Sequence, residues 1–453
     1  MILHIKNREL ERHGKLLCKI KNISLNEGDI VGIIGKNGSG KTSLLKEIYE
    51  DIQNDKRNKG SVEFLQFNEN LNLDKSGGEM VVQKILEHFA NDKGIYLLDE
   101  PTTYLDSANV NKIVNLINKK NSTFCIATHD RSFLEKVCTK LWIIEQGELV
   151  EFNGNYTEYK EQKEIKISEY NSELKKYQKE TRKIRDTIRN MKEEQQGKTL
   201  GKPKNMMASD YRIIGTKTKI TQNQKKMQKN ILKQEEKLNS LSKPKKIEEE
   251  YDISFLNIFN KRSKRSFYIE EKEFFINGKC LWMTTNLSFS SGDKVMLVGK
   301  NGSGKTTFLN YIKEQIPNNF KVAYFEQNNL EIFEKEETVL NFIRNITDIE
   351  EKELRNILAL LNFRGTDINK KVSVLSNGEK VKLYFISLLF QETDVLLLDE
   401  LTNFLDIVTI EAVEKILSKY PGILIMISHD SQFVKNVATK VIELNSKELL
   451  RFR

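Results

Sequence analysis

An α/β fold of two similar domains, joined by a long helical segment, is predicted by three features of this 453-residue sequence. The stretch GKNGSGKT occurs at 35–42 and again, letter for letter, at 299–306. A fixed order of short motifs follows each copy. Between the two series, the alternation of strand-like and helix-like runs gives way to two seams of heptad spacing.

The repeated stretch fits G-x-x-x-x-G-K-[ST], a phosphate-binding loop. Its first copy comprises Gly35, Lys36, Asn37, Gly38, Ser39, Gly40, Lys41 and Thr42, followed by Ser43. Its second comprises Gly299, Lys300, Asn301, Gly302, Ser303, Gly304, Lys305 and Thr306, followed by Thr307. Glycines admit positive φ and close backbone approach, so successive N–H groups can surround a β-phosphate. Lys41 and Lys305 would reach the β/γ-phosphates, and Thr42 and Thr306 would offer hydroxyls to Mg²⁺. Each loop follows an apolar run (30–34, 295–298) and precedes a helical pattern (43–49, 307–312), whose N-terminus also favours phosphate. Two identical copies in this context leave chance a poor explanation.

In the first half, residues 1–25 read as antiparallel strands with a polar break at 9–15. A short strand at 62–67 carries Gln66. Ser76, Gly77, Gly78 and Glu79 then head a helical pattern at 80–89, where free N–H groups make a second anion site able to close on a nucleotide held by another domain. An apolar run at 95–98 ends in Asp99-Glu100, and the strand at 124–127 leads to His129. A carboxylate at a buried strand end, Asp99, can hold Mg²⁺ through water. Glu100, one position on, can orient or deprotonate an attacking water, and His129 can hold that water in line.

The series returns as Gln327, Ser376-Asn377-Gly378-Glu379, Asp399-Glu400 and His429. Lys41 and Lys305 differ by 264, whereas Ser76/Ser376, Glu100/Glu400 and His129/His429 all differ by 300. The additional 36 residues therefore fall between the phosphate loop and the Ser motif, and Gln66 and Ser76 are only 10 apart, as against 49 for Gln327 and Ser376. A helical subdomain is expected at 337–375 and is nearly absent from the first half. Asn377 stands where the first copy has Gly77, and Leu401 where it has Pro101. Asn tolerates the left-handed region better than most residues, so the loop is expected to keep its shape and gain a side chain near the γ-phosphate.

Between the halves, Tyr170, Leu174, Tyr177, Thr181, Ile184, Ile188 and Met191 form one seam, and Ile220, Gln224, Met227, Ile231, Gln234, Leu238 and Leu241 a second. The break at 197–215 contains Gly197, Gly201, Pro203 and Gly215, so an antiparallel helical hairpin is expected, long enough to project its tip tens of ångströms. Residues 191–230 hold ten Lys/Arg against three Asp/Glu, a net +7 of the chain's +9. A charge run is usually a solvated face. Here it surrounds a tip bearing Lys198, Lys202, Lys204, Met206, Met207, Tyr211, Arg212 and Ile213, an arrangement suited to RNA phosphates with apolar side chains reaching beyond them.

The composition excludes much else. Thirty per cent charge and 38% apolar residues suit globular domains with an extended charged element. No apolar run approaches the ~20 residues of a membrane helix. The start lacks a signal-peptide core, and Cys18, Cys125, Cys138 and Cys280 show no metal spacing, so a cytoplasmic protein with reduced thiols is expected. The last strand ends shortly before Arg453, so no C-terminal extension is expected.

Taken together, the motifs resemble the nucleotide-binding domain of the ATP-binding-cassette superfamily, present twice. The resemblance implies domains at 1–155 and 251–453, a hairpin linker at 156–250, ATP with Mg²⁺, and metal contacts from Thr42, Gln66, Asp99, Thr306, Gln327 and Asp399. It implies Glu100, Glu400, His129 and His429 as catalytic, and a D-loop ending at Asp106 and at Asp406. Head-to-tail pairing within one monomer would join Ser76–Gly78 to Lys305, and Ser376–Gly378 to Lys41. No adenine-stacking aromatic is evident in residues 1–25.

Two cassettes around a charged linker resemble the ABC-F proteins. KPKN at 202–205, GNY at 154–156, SVLSNGE at 373–379 and the shortened first subdomain resemble its Vga/Lsa-type antibiotic-resistance subgroup. That implies the 70S ribosome as partner, with E-site binding in the ATP form and a linker tip near 23S rRNA and P-site tRNA. It also implies protection from lincosamides, pleuromutilins and group A streptogramins. A housekeeping ABC-F translation factor and the twin ATPase subunit of a membrane importer remain as alternatives.

Overall fold

The computed structural model describes residues 2–12, 14–55, 61–67, 77–89, 94–103, 105–200, 212–244, 259, 264–276, 279–326, 336–363, 365–444 and 449–450. It divides into one unit of Met1–Tyr159 with Tyr251–Arg453, holding both cassettes, and a second of Lys160–Glu250.

The first cassette opens with a hairpin of β1 (Leu3–Arg12) and β2 (Lys15–Leu25). The strands run closer to the turn than the polar break at 9–15 suggested, because Leu10 pairs with Cys18 and both face the core. There follow β3 (Ile30–Gly35), α1 (Lys41–Asn54), β4 (Val62–Gln66), α2 (Gly77–His88), β5 (Ile95–Asp99), α3 (Ser107–Lys119), β6 (Thr123–Ala127), α4 (Arg131–Val137), β7 (Lys140–Glu145) and β8 (Glu148–Asn153). They form one sheet in the order β1-β2-β8-β7-β3-β6-β5-β4. β5 and β6 are buried along their whole length, which is why their sequences are continuously apolar rather than alternating. Register aligns Gln66, Asp99 and Ala127 across the strand ends, where an open parallel sheet places its ligands.

The linker contributes α5 (Tyr156–Leu200) and α6 (Arg212–Ser240). The second cassette then supplies β9 (Ser266–Ile269), β10 (Lys272–Ile276), β11 (Lys279–Thr284), β12 (Leu287–Ser290), β13 (Lys294–Gly299), α7 (Lys305–Gln315) and β14 (Val322–Phe325). Its helical subdomain holds α8 (Val339–Arg344) and α9 (Glu351–Leu360) and leads into α10 (Asn377–Phe390). Leu354, Ile357, Leu358 and Leu361 are buried there, as their spacing predicts. β15 (Val395–Asp399), α11 (Ile407–Ser418), β16 (Ile423–Ile427), α12 (Ser431–Val437), β17 (Lys440–Leu444) and β18 (Leu449–Leu450) complete it. The central order β14-β15-β16-β13-β17 repeats that of the first cassette, all neighbours parallel.

The linker unit is a pair of helices of 45 and 29 residues. Ile184, Ile188 and Ile231 form its buried seam, flanked by Met191, Leu238 and Leu241. Lys192 Nζ donates to Glu235 Oε1 at 2.8 Å across the pair. The helices run further than the break at 197–215 suggested. A single helical glycine costs only about 1 kcal/mol, so Gly197 and Gly215 do not stop them. Lys198, Arg212 and Ile213 lie on helical backbone, while Lys202, Lys204, Met206, Met207 and Tyr211 fall outside the described residues.

Truncating Ile184 and Ile231 together to alanine removes most of this seam, at about 2–5 kcal/mol for each buried side chain. Hydrogen exchange is expected to quicken across 175–195 and 225–241 while exchange in β5, β6, β15 and β16 stays at wild-type rates.

Candidate functional site

Each phosphate loop is set by its strand and by two left-handed glycines. Gly38 and Gly302 share φ 75°, and Gly40 and Gly304 adopt φ 102° and 86° immediately before α1 and α7. A Cβ on Gly299 would lie 2.5 Å from the Leu444 carbonyl oxygen, so that position admits glycine alone. Lys41 Nζ donates to the Gly35 and Lys36 carbonyls at 3.1 and 3.4 Å, and Lys305 Nζ to those of Gly299 and Lys300 at 3.1 and 3.0 Å. Burial lowers the pKa of both lysines against the pull of Glu100 and Glu400. The buried Ser39 and Ser303 hydroxyls have no partner. Unpaired donors at the same place in both loops, beside two constrained ammonium groups, fit a polyphosphate.

Thr42 Oγ1 donates to Asp99 Oδ2 at 2.8 Å, and Thr306 pairs with Asp399 in the same way. Burial raises both carboxyl pKa values, that of Asp399 to about 6. Among the described residues no cluster of three or more acidic, His or Cys side chains could cage a metal. One hydroxyl and one carboxylate suit Mg²⁺, which keeps water and takes its remaining oxygens from phosphate. Gln66 ends β4 beside Asp99, and Gln327 lies outside the described residues.

The glutamates after the strands adopt the left-handed region, Glu100 at φ 53° and Glu400 at φ 50°. A non-glycine residue there costs of order 1–3 kcal/mol, so the matching conformations point to a functional demand. Leu401 preserves the turn that Pro101 makes in the first cassette, since it is fully buried in the second core. The carboxylates nevertheless differ. Glu100 is 3.4 Å from His129 Nε2, and burial pushes it up to about 7. His129 Nε2 also accepts from Lys41 Nζ at 3.0 Å, so burial and Lys41 hold the ring neutral, its pKa down at about 3. Burial also raises Glu400, but His429 at 3.3 Å, Lys305 and the Asn403 amide at 2.8 Å outweigh it, and the net shift is downward.

Each loop is completed by the opposite cassette. The Asn37 N–H donates to Asp406 Oδ2 at 3.1 Å, and the Asn301 N–H to Asp106 Oδ2 at 3.0 Å. Asn37 Nδ2 reaches the Phe404 carbonyl at 3.3 Å. A cavity of about 620 Å³ joins Lys41, Glu100 and His129 to Asn377, Gly378 and Asn403. Asn377 does not use the left-handed tolerance invoked from the sequence. It is the first residue of α10, a position any side chain accepts, and it still reaches this cavity. Ser376 and Glu379 are engaged with each other in a capping box. Gly77, Gly78 and Glu79 open α2, and Ser76 lies outside the described residues.

Four features escaped the sequence reading. Arg12 and Leu17 line the first cavity from the β1–β2 hairpin, where no aromatic had been found. Arg131, 2% exposed, joins the cassettes by ion pairs with Glu414 and with Asp430 at 2.9 Å. The contrast of His-Asp-Arg at 129–131 with His-Asp-Ser at 429–431 was its only trace. Lys382 is buried against Asp406, and a lysine on a helix otherwise rich in core residues was the available sign.

A family model described as ABC transporter matches residues 18–74 and 283–403. The chain is 28% identical to the ribosome protection protein VmlR of Bacillus subtilis, over 98% of this chain and 87% of that one. It is 30% identical to the erythromycin resistance ATP-binding protein MsrA of Staphylococcus epidermidis, over 92% of each. The solved structure named RNase-L Inhibitor superposes with a TM-score of 0.57 at 15% identity, covering 96% of this chain and 88% of that one, a likeness of fold.

A base must be deprotonated to act, so the two sites are expected to differ in their acid limbs. In the profile of kcat/KM for ATP hydrolysis, which reports the free enzyme, activity carried by Glu100 should rise with pH through about 7. Activity carried by Glu400 should reach its plateau well below that. Measurement on Glu400→Gln and Glu100→Gln chains separates the limbs, and coincident ones would contradict the difference in environment.

Proposed function

The chain belongs to the ABC-F family of ATP-binding-cassette ATPases, and from that premise we propose that it binds the ribosome in its ATP form and protects translation from antibiotics of the peptidyl-transferase centre. Full-length similarity to proteins named for ribosome protection and erythromycin resistance carries this reading. In it, the hairpin enters from the E site and its tip, within 197–215, reaches towards 23S rRNA and P-site tRNA. Lincosamides, pleuromutilins and streptogramin A compounds are the drugs it displaces, and the protein works as a cytoplasmic monomer.

The phosphate loops hold the nucleotide; Thr42, Gln66 and Asp99, and Thr306, Gln327 and Asp399, would hold Mg²⁺, which would neutralise phosphate charge. Glu100 and Glu400 take a proton from the attacking water, with His129 and His429 keeping them aligned. Head-to-tail contacts at Asn37 and Asn301 support closure on ATP as the form that binds. A housekeeping factor of the same family is disfavoured by the ten positions from Gln66 to Ser76, which leave little room for an additional ribosome-contacting arm. Among the described residues no helix is long and apolar enough to cross a membrane, and an importer subunit has no use for the basic hairpin.

Glu100→Gln with Glu400→Gln keeps size and hydrogen bonding while removing both bases. That chain is expected to bind ATP, turn over at least about a hundredfold more slowly, and remain on ribosomes pelleted through sucrose. Near-normal turnover would remove both glutamates from the chemistry.

The hairpin's two contributions separate by salt. Replacing Lys198, Lys202, Lys204, Lys217 and Lys219 with glutamine should weaken ribosome binding most as salt rises, because each neutralised phosphate releases counterions. Replacing Met206, Met207, Tyr211 and Ile213 with alanine should leave binding and ATPase activity nearly intact and abolish rescue of translation from lincomycin or tiamulin. Full rescue by that variant would contradict the role of the tip. Absence of ribosome pelleting, with membrane association instead, would favour the importer.

A further inference from the structure

We propose that Lys382, carried by the second cassette, is a positioning residue for the ATP site of the first. It seats Asp406 on the loop that holds Lys41, a support with no counterpart at the site of Lys305 among the described residues.

Lys382 lies on α10 and is 4% exposed. An ammonium group so placed is costly unless paired. Its Nζ is 3.2 Å from Asp406 Oδ2, the same oxygen that accepts the Asn37 N–H at 3.1 Å. Asp406 Oδ1 is taken from the other side by the Thr409 N–H at 2.9 Å and the Thr409 hydroxyl at 2.6 Å. Four donors therefore fix one carboxylate, three from its own cassette and one from the opposite phosphate loop. Asp406 and Lys382 also act in opposite senses on Lys41 and His129, so the pair lies within electrostatic reach of the groups that face the phosphates.

The other site is built differently. Asp106 accepts the Asn301 N–H at 3.0 Å and the Asn109 N–H at 2.9 Å. The residue 300 positions before Lys382 is Val82, which packs into the apolar core of the first cassette. Asp106 thus has a backbone cap where Asp406 has a cap, a hydroxyl and a buried cation. This difference rests on the ATPase alone and does not depend on the ribosome reading.

The alternative is that Lys382 merely stabilises its own cassette. The two roles act on different sites, and single-turnover hydrolysis of radiolabelled ATP separates them. In Glu400→Gln chains, where only the site of Glu100 retains its base, Lys382→Met is expected to slow hydrolysis by about tenfold or more. In Glu100→Gln chains it should change hydrolysis by less than about twofold. Lys382→Arg should restore most of the loss, because it keeps the charge and the donor. Loss of activity at the Glu400 site, equal loss at both, or no loss at the Glu100 site would overturn the proposal. Should Lys382→Met melt early or fail to express, Lys382→Gln and Val82→Lys decide instead. The first should slow the Glu100 site alone, and the second should change the Glu400 site alone. Any other pattern counts against a role in trans.

Discussion

A backbone N–H in each phosphate loop donates to a carboxylate of the opposite cassette, Asn37 to Asp406 and Asn301 to Asp106. Each carboxylate also caps the helix that follows it, α11 or α3. Neither donor belongs to a regular element of its own cassette, so the loops find their partners only when the two halves meet. The seating of each phosphate loop and the meeting of the cassettes are therefore linked in structural terms. The repeated strand order and the left-handed glutamates place reactive groups around this contact rather than inside either cassette alone.

The repeat is close in backbone and unequal in electrostatics. Glu100 and Glu400 share a conformation, yet burial dominates the first while His429, Lys305 and Asn403 dominate the second. Arg131 reaches Glu414 and Asp430 across the interface, whereas the corresponding positions of the reverse contact hold Ser431, Val114 and Asp130. Breaking a buried ion pair by removing one partner costs about 3–5 kcal/mol. That cost is the stranding of a charge, so the one-sided bridge ties Asp430, next to His429, to the start of α4 and makes Arg131, Glu414 and Asp430 depend on one another. An enzyme with two sites of this kind has the means to use them for different steps.

Motif placement was legible in the sequence wherever it depends on short spacing. The phosphate loops, Asp99-Glu100, Asp399-Glu400 and the two histidines lie at strand ends, and strands of continuous apolar residues are hard to misread. Contacts between distant segments left fainter traces. Arg131 and Glu414 are 283 positions apart, and neither is unusual in its own neighbourhood. Lys382 stands where the first copy has Val82, a single difference within a helix of mostly apolar residues. Asn377 drew attention because it departs from the glycine of the first copy, yet its position is an ordinary helical start. The helices of the linker run past the glycines that flank its tip. Glycine is weak punctuation inside a long helix, so Gly197 and Gly215 lie on helical backbone where their sequence suggests a break.

The claim that each ATP site is completed by the other cassette is tested most directly at the Asn37 amide. Hydrogen exchange measured by mass spectrometry on a peptide spanning 36–43 should quicken in Asp406→Ala, although the substitution lies in the opposite cassette. The peptide spanning 300–307 should stay at the wild-type rate, and Asp106→Ala should give the reverse pattern. Unchanged exchange at 36–43 in Asp406→Ala, with the protein folded and ATP present, would contradict the account.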